Sequence, residues 1–134
     1  MITDSSAIIA IIAGESEAVD FAELINDADR VAMSAATFVE AGVVVDALGG
    51  PTLTRLFDDF LDAARVTIEP VTPEQAVVAR QAYRDYGRGS GHPARLNFGD
   101  CFSYALAKAR GEALLFKGND FTATDVQQAE GTPK

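Results

Sequence analysis

The 134-residue chain has one cysteine, one histidine and no tryptophan. Because Cys101 has no partner within the chain, the fold does not depend on a disulfide, and a reducing cytoplasm suits it. One cysteine and one histidine also cannot supply the ligands of a structural zinc site. The apolar run from Ala7 to Ala13 is far shorter than the roughly 20 residues of a membrane span, and Asp4 precedes it where a signal peptide would carry basic residues. We expect a cytoplasmic protein with no membrane association.

Basic residues are also scarce, with 11 Lys and Arg against 20 Asp and Glu and a net charge of −9. Such a surface repels a phosphate backbone unless its charge is reversed locally or neutralised by cations. Only residues 80–95 are basic, with four arginines against one acid: Arg80, Arg84, Arg88 and Arg95 against Asp85. This stretch is interpreted either as a solvated helix face running into a loop or as a guide for a polyanion.

With 48% hydrophobic and 23% charged residues, the chain has the composition of a globular protein. Its length predicts one domain over residues 1–134, with a frayed tail over 130–134. Short apolar segments that predict strands alternate with longer segments of helical period. The predicted strands are 2–3, 30–34, 66–71 and 113–117; the predicted helices are 5–13, 16–28, 35–48, 52–65, 72–86 and 99–110.

This alternation predicts an α/β fold, in which a mainly parallel sheet of four to five strands lies between two layers of helices. Ser5 or Ser6 is expected to cap the first helix, and Thr72 with Gln75 forms a capping box for the fifth. The segment 35–48 is apolar around its circumference, which predicts a buried helix.

Four acids interrupt apolar sequence, whereas most others fall on the polar faces of amphipathic helices: Asp4, Glu40, Asp100 and Asp120. Each is placed at the end of a strand or in the first turns of a helix. Because these ends share the carboxyl edge of a parallel sheet, we expect the four side chains to converge there. Any one of them alone is equally consistent with a helix cap or an exposed acid.

Convergence would create an electrostatic problem, because two carboxylates about 4 Å apart repel by roughly 4 kcal/mol at an effective dielectric near 20. The main basic side chain available to offset this repulsion is Lys117. A divalent cation is the simpler solution, and an all-oxygen ligand set favours Mg²⁺ or Mn²⁺ over zinc.

Three ordered motifs accompany these acids: DSSA at residues 4–7, LNFGDC at 96–101 and KGNDF at 117–121. Together with Glu40 in its apolar helix, they resemble the PIN-domain ribonucleases, specifically the VapC-type toxins of bacterial toxin–antitoxin pairs. The likeness covers nearly the whole chain in length, order and spacing. It implies a three-layer α/β/α PIN-like domain.

The resemblance also implies roles for individual residues. Asp4, Glu40, Asp100 and Asp120 would be the catalytic and metal-binding acids, supported by Ser6, Asn97 and Asn119. Asn119 is a departure, since many relatives carry a further acid near this motif. The resemblance further implies one or two Mg²⁺ or Mn²⁺ ions, a homodimer, an RNA substrate and a cognate VapB-type antitoxin whose C-terminal segment enters the active-site groove.

The chemistry of the residues leads to a mechanistic hypothesis. Asp4, Asp100 and Asp120 would ligate the metal, and Glu40 would orient or deprotonate a water that attacks the phosphodiester. The basic stretch would guide the RNA backbone through Arg84, Arg88 and Arg95.

Two other functions remain open at this point. Asp4 after the first strand, with Lys117 and Asp120 later in the chain, also suits an aspartyl-phosphate phosphotransfer enzyme in which Asp4 is the nucleophile. A catalytically inert PIN-like binding module is the other alternative.

Overall fold

Four short parallel strands form the sheet in the computed structural model, which describes residues 1–130. They are β1 (Ile2–Thr3), β2 (Ala32–Ser34), β3 (Thr67–Glu69) and β4 (Leu114–Leu115), in the order β3-β2-β1-β4. The sequence predicted each of them, with three extending further along the chain. The sequence predicted a frayed tail over 130–134, of which residues 131–134 lie outside the described part of the chain.

Six helices connect the strands within this part of the chain. They are α1 (Ser5–Ala13), α2 (Ala18–Asp27), α3 (Ala35–Gly49), α4 (Pro51–Ala63), α5 (Pro73–Tyr86) and α6 (Asp100–Arg110). None of the described helices is long and apolar enough to cross a membrane.

The two faces of the sheet are covered by different helices. Ile2, Ala32 and Leu114 pack into a core with residues of α5 and α6. The strand neighbours Met33 and Leu115 belong to a second core with residues of α1 to α4. Since successive strand residues point to opposite faces, the chain forms three layers, and the predicted α/β/α architecture is confirmed.

Helix α1 spans the predicted residues, but its N-cap lies one residue earlier than the sequence suggested. The prediction that Ser5 or Ser6 caps it is wrong, because Asp4 has the extended backbone of a cap and its carboxylate accepts the Ser6 backbone N–H at 3.1 Å. The Thr72 cap of α5 is confirmed, since its hydroxyl accepts the Gln75 N–H at 3.1 Å. The first acid of interest is therefore held by the helix that it begins.

Helix α3 is not buried all round, contrary to the expectation from its composition. Ala41 and Val45 are buried, but Val39 and Val43 are 60% and 65% exposed. The helix contacts α1, α4, α6 and the sheet, so its buried side chains lie where those elements meet it. One turn of the helix separates the two valines, which form an exposed pair that we call the α3 valine pair.

The segment after β4 is fastened to α6 and to the core. Phe121 is buried, with its ring centre 5.1 Å from that of Phe116. Asp125 accepts hydrogen bonds from the Tyr104 hydroxyl at 2.6 Å and from Lys108 Nζ at 3.0 Å. These contacts fix the loop that carries Asp120.

Candidate active site

Asp4 is the most deeply buried acid of the predicted set, with 2% of its surface exposed. One carboxylate oxygen, Oδ2, accepts the Ser6 N–H, and the other, Oδ1, accepts the Ser103 hydroxyl at 2.6 Å. Both oxygens are therefore held in place at the carboxyl end of β1.

Ser103 and Thr37 are buried residues that the sequence analysis missed. Their hydroxyl oxygens are 3.1 Å apart. Ser103 follows Asp100 by three residues on α6, and Thr37 precedes Glu40 by three residues on α3, so each hydroxyl lies near an acid on its own helix. This spacing of a hydroxyl three positions from an acid was the signal that could have identified them.

Glu40 lies in the second turn of α3 and reaches towards two other elements. Its Oε1 accepts the Ser5 hydroxyl from the start of α1 at 2.7 Å. Its carboxylate also lies against Gly99, where a β-carbon would overlap Glu40 Oε2. A side chain at position 99 would therefore have to displace the Glu40 carboxylate from its present position. Ser5 is a further residue of the site, for which the sequence predicted only a capping role.

Asp100 begins α6 and is 8% exposed. Its Oδ2 accepts the Asn97 N–H at 3.0 Å, and its own N–H donates to Asn97 Oδ1 at 2.8 Å. Burial raises the pKa of Asp100 to about 7, a rise that the Asn97 N–H opposes and that the charges of Asp4, Asp120 and Glu40 increase. Asp100 therefore lies within electrostatic reach of the other three acids.

Asp120 is exposed in the loop after β4, and the neighbouring residues take different roles. The Ser6 hydroxyl accepts the Lys117 N–H at 3.0 Å, which joins this loop to α1. The Lys117 ammonium pairs instead with Glu15 and Glu17. The basic side chain expected to offset the site's charge is therefore held elsewhere. Asn119 is exposed, and its carbonyl accepts the Thr122 N–H and hydroxyl.

The donor set suits a hard divalent cation. Within residues 1–130, none of the four acids forms an ion pair, although Asp4 and Asp100 are buried. Burying carboxylates without a compensating cation is costly. The same residues contain no ready-made group of three or more His, Cys, Asp or Glu side chains for a metal ion. Asp120, which is exposed, is the least restricted of the four acids.

The three predicted RNA-binding arginines lie around the chain segment that leads to this site. Arg84 is in the last turn of α5, and Arg88 and Arg95 lie in the loop before Asn97. All three are exposed, and none forms an ion pair with any described residue. His92 in the same loop accepts the Ala94 N–H through Nδ1, so its ring helps to shape the loop.

An exposed aromatic side chain adjoins the acids. Phe98, two residues before Asp100, is 75% exposed. Its ring meets Phe102 edge to face, with centres 5.0 Å apart. Phe98 and the α3 valine pair therefore place exposed apolar side chains on the chain segments that carry Asp100 and Glu40.

The chain is similar in sequence and in fold to known proteins. The family model described as PIN domain matches residues 1–127. Ribonuclease VapC28 of Mycobacterium tuberculosis is 53% identical over 129 residues, covering 96% of this chain and 97% of the relative. The crystal structure of M. tuberculosis VapC20, described as a sarcin–ricin loop cleaving toxin, has a TM-score of 0.75 at 18% identity, covering 97% of this chain and 98% of that chain. A toxin–antitoxin complex from Klebsiella pneumoniae has a TM-score of 0.70 at 18% identity over 92% of both chains.

The raised pKa of Asp100 predicts a pH-dependent stability in the absence of metal. The folded protein holds this carboxyl with a pKa of about 7 against an ordinary value of 3.8, so it binds more protons than the unfolded chain between these values. The free energy of unfolding therefore falls as the pH rises from about 4 to about 7. Relative to Asp100→Asn, the wild type should lose on the order of a few kcal/mol between pH 5 and pH 8. Urea unfolding in EDTA at both pH values measures this difference.

The matched control is Asp58→Asn, which replaces an exposed acid on α4. It should retain the pH dependence of the wild type. Equal pH dependences for the wild type and Asp100→Asn would contradict the prediction.

Proposed function

This chain belongs to the PIN-domain family, and we propose that it is a divalent-metal-dependent endoribonuclease that acts as the toxin of a toxin–antitoxin pair. The observation that carries the proposal is that Asp4, Glu40 and Asp120 lie within electrostatic reach of Asp100, while none of the four has a cation partner among the described residues. Two of them, Asp4 and Asp100, are buried. The naming of the 53% identical relative as a ribonuclease supports the activity.

The ion is proposed to be Mg²⁺ or Mn²⁺, bound singly or as a pair. When bound, it would supply a low-pKa water and neutralise phosphoryl oxygens. Asp4, Asp100 and Asp120 are the proposed ligands, because all three offer the oxygen donors that these ions prefer. Asp100 Oδ1 has no hydrogen-bond partner among the described residues and is free to ligate.

Glu40 is the proposed acceptor of the proton from the attacking water. Ser5 holds its Oε1, and the absence of a side chain at Gly99 leaves room for its carboxylate beside Asp100. A carboxylate held in this way can orient the water or remove its proton. Ser6 and Asn97 support the acids by the hydrogen bonds described above. Asn119 is assigned no ligand role, since its carbonyl serves the local turn.

The alternative functions receive less support. A nucleophilic Asp4 would need an accessible oxygen, but this residue is buried and hydrogen bonds hold both of its carboxylate oxygens. An inert binding module would not need the four acids to converge. The metal-dependent nuclease therefore explains more of the geometry than either alternative.

A partner protein and a second copy of the chain are also proposed. The solved toxin–antitoxin complex with the same fold supports a cognate VapB-type antitoxin as the partner. The exposed α3 valine pair and Phe98 support a homodimer, because exposed apolar side chains next to a functional site are typical of interaction surfaces.

Cleavage of RNA by the purified protein tests the proposed activity. We expect cleavage with Mn²⁺ or Mg²⁺ and none in EDTA. Asp4→Asn should lower the rate at least about 100-fold, because it removes a ligand charge from the centre of the site. Asp58→Asn should cleave RNA at the wild-type rate. Cleavage that survives both EDTA and Asp4→Asn would refute the metal mechanism.

Expression in bacteria tests the proposed role as a toxin. The wild-type protein alone should arrest growth, whereas Asp4→Asn at the same protein level should not. Co-expression of the antitoxin encoded beside the gene should restore growth. Arrest that does not depend on Asp4, or unaffected growth with active protein present, would count against this role.

The arginines predict how RNA binding depends on salt. Replacing Arg84, Arg88 and Arg95 together by Gln should raise KM for RNA about tenfold at low salt and leave kcat nearly unchanged, because phosphate contacts position the substrate. The slope of the logarithm of RNA affinity against the logarithm of salt concentration should also become shallower by about 1 for each removed arginine that contacts a phosphate. Measuring KM and kcat over a series of salt concentrations checks both expectations.

Arg55→Gln is the matched control for this experiment, since Arg55 is exposed on α4 and forms no described ion pair. It should bind RNA like the wild type. An unchanged KM in the triple variant would remove these arginines from the RNA-binding surface.

A further inference from the structure

We infer that the hydroxyl groups of Thr37 and Ser103 form a chain of hydrogen bonds that positions Asp4 for the metal ion. The inference rests on the proposed function and assigns positioning roles to two residues that lie outside the predicted set of acids. It starts from the 2.6 Å hydrogen bond between Ser103 Oγ and Asp4 Oδ1 and from the 3.1 Å separation of Ser103 Oγ and Thr37 Oγ1.

The direction of the chain follows from the number of protons. A serine hydroxyl has one proton, and an ionised carboxylate can only accept. Ser103 therefore uses its one hydroxyl hydrogen in the hydrogen bond to Asp4. Thr37 must then be the donor in the hydrogen bond between Thr37 and Ser103. Thr37, Ser103 and Asp4 are each buried, so no bulk water replaces a member that is removed.

The chain restricts how Asp4 can face a ligand. Ser103 occupies one acceptor position of Oδ1, and the Ser6 N–H occupies one of Oδ2. The carboxylate plane is thereby fixed, with one remaining acceptor position on each oxygen. Hydrogen-bond partners of metal ligands orient those ligands, and their removal typically costs about 10- to 100-fold in metal affinity or activity.

The hydroxyl chain also joins the three elements that carry buried or half-buried acids. Ser103 is on the helix of Asp100, Thr37 is on the helix of Glu40, and Asp4 follows β1. One hydrogen-bonded path thus crosses from α3 through α6 to the end of β1. An apolar pair at positions 37 and 103 would still pack these elements but would not orient Asp4.

The experiment measures Mn²⁺ dissociation constants by electron paramagnetic resonance, together with kcat and KM for RNA cleavage and the melting temperature. Ser103→Ala should weaken Mn²⁺ binding about tenfold and lower kcat about 10- to 100-fold, with KM for RNA within about twofold of the wild type. Thr37→Val should weaken Mn²⁺ binding about threefold, because Ser103 then lacks its donor. Thr37→Ser, which keeps the hydroxyl, should restore wild-type affinity.

Leu106→Val is the control for a loss of packing alone. Leu106 is buried on the same helix and packs in the apolar core rather than against the acids. The Leu106→Val variant should have a lower melting temperature than the wild type but the same Mn²⁺ dissociation constant. An equal loss of Mn²⁺ affinity in Leu106→Val and Ser103→Ala would overturn the inference.

Two other results would also overturn it: Mn²⁺ binding by Ser103→Ala within about twofold of the wild type, or equal impairment of Thr37→Ser and Thr37→Val. If Ser103→Ala does not fold, the two Thr37 variants decide the question. A wild-type protein that binds Mn²⁺ but cleaves no RNA would refute the proposed activity, while the Thr37 comparison would still test the positioning role.

Discussion

Uncompensated negative charge at the carboxyl edge of the sheet is the constraint on which the site depends. Asp4 and Asp100 are buried, and Glu40 and Asp120 add charge close by, yet the described residues supply no cation to any of them. Lys117 could have relieved the repulsion, but Glu15 and Glu17 hold it at the end of α1. Such an arrangement costs stability in the isolated protein. This loss of stability in the metal-free protein is tolerable if the function needs a cation, because the bound cation offsets the repulsion.

The fold limits this cost without removing it. Asp4 caps α1 and Asp100 begins α6, so both carboxylates lie at helix N-termini, where backbone N–H groups favour negative charge. Ser103 and the Ser6 N–H hold Asp4, Asn97 holds Asp100, and Ser5 holds Glu40. Each of these three acids is thus oriented by a neutral donor. Neutral donors fix geometry while leaving the net charge available to attract a metal ion, which a lysine or arginine in the same positions would not do.

The sequence predicted the layers and the order of strands and helices along the chain, because these follow from hydrophobic period and from the geometry of parallel sheets. That the four acids share one site stays a prediction, which the electrostatic influence of Asp4, Glu40 and Asp120 on Asp100 supports. The sequence did not identify Ser103 and Thr37, because their spacing of three residues from an acid places them near that acid but does not by itself separate a packing residue from a hydrogen-bond donor. The cap of α1 was misplaced by one residue because Asp, Ser and Ser are all good caps. The exposure of Val39 and Val43 was also missed, because composition alone cannot show which side of an apolar helix lacks a neighbour.

The charge distribution gives the proposed metal dependence a second consequence. A net charge of −9 opposes the approach of RNA, and in the proposed mechanism the four acids would concentrate that repulsion where the scissile phosphate binds. In the proposed mechanism the exposed Arg84, Arg88 and Arg95 would attract the RNA backbone near the site, while the negative charge of the acids within it would remain. A cation held by the proposed ligands Asp4, Asp100 and Asp120 would neutralise them and allow a phosphate to approach. Binding of the cation and binding of RNA are then coupled favourably, each strengthening the other by the same factor. In the proposed mechanism the acids thus exclude the substrate when metal-free and accept it when loaded, so one set of side chains controls both binding and cleavage.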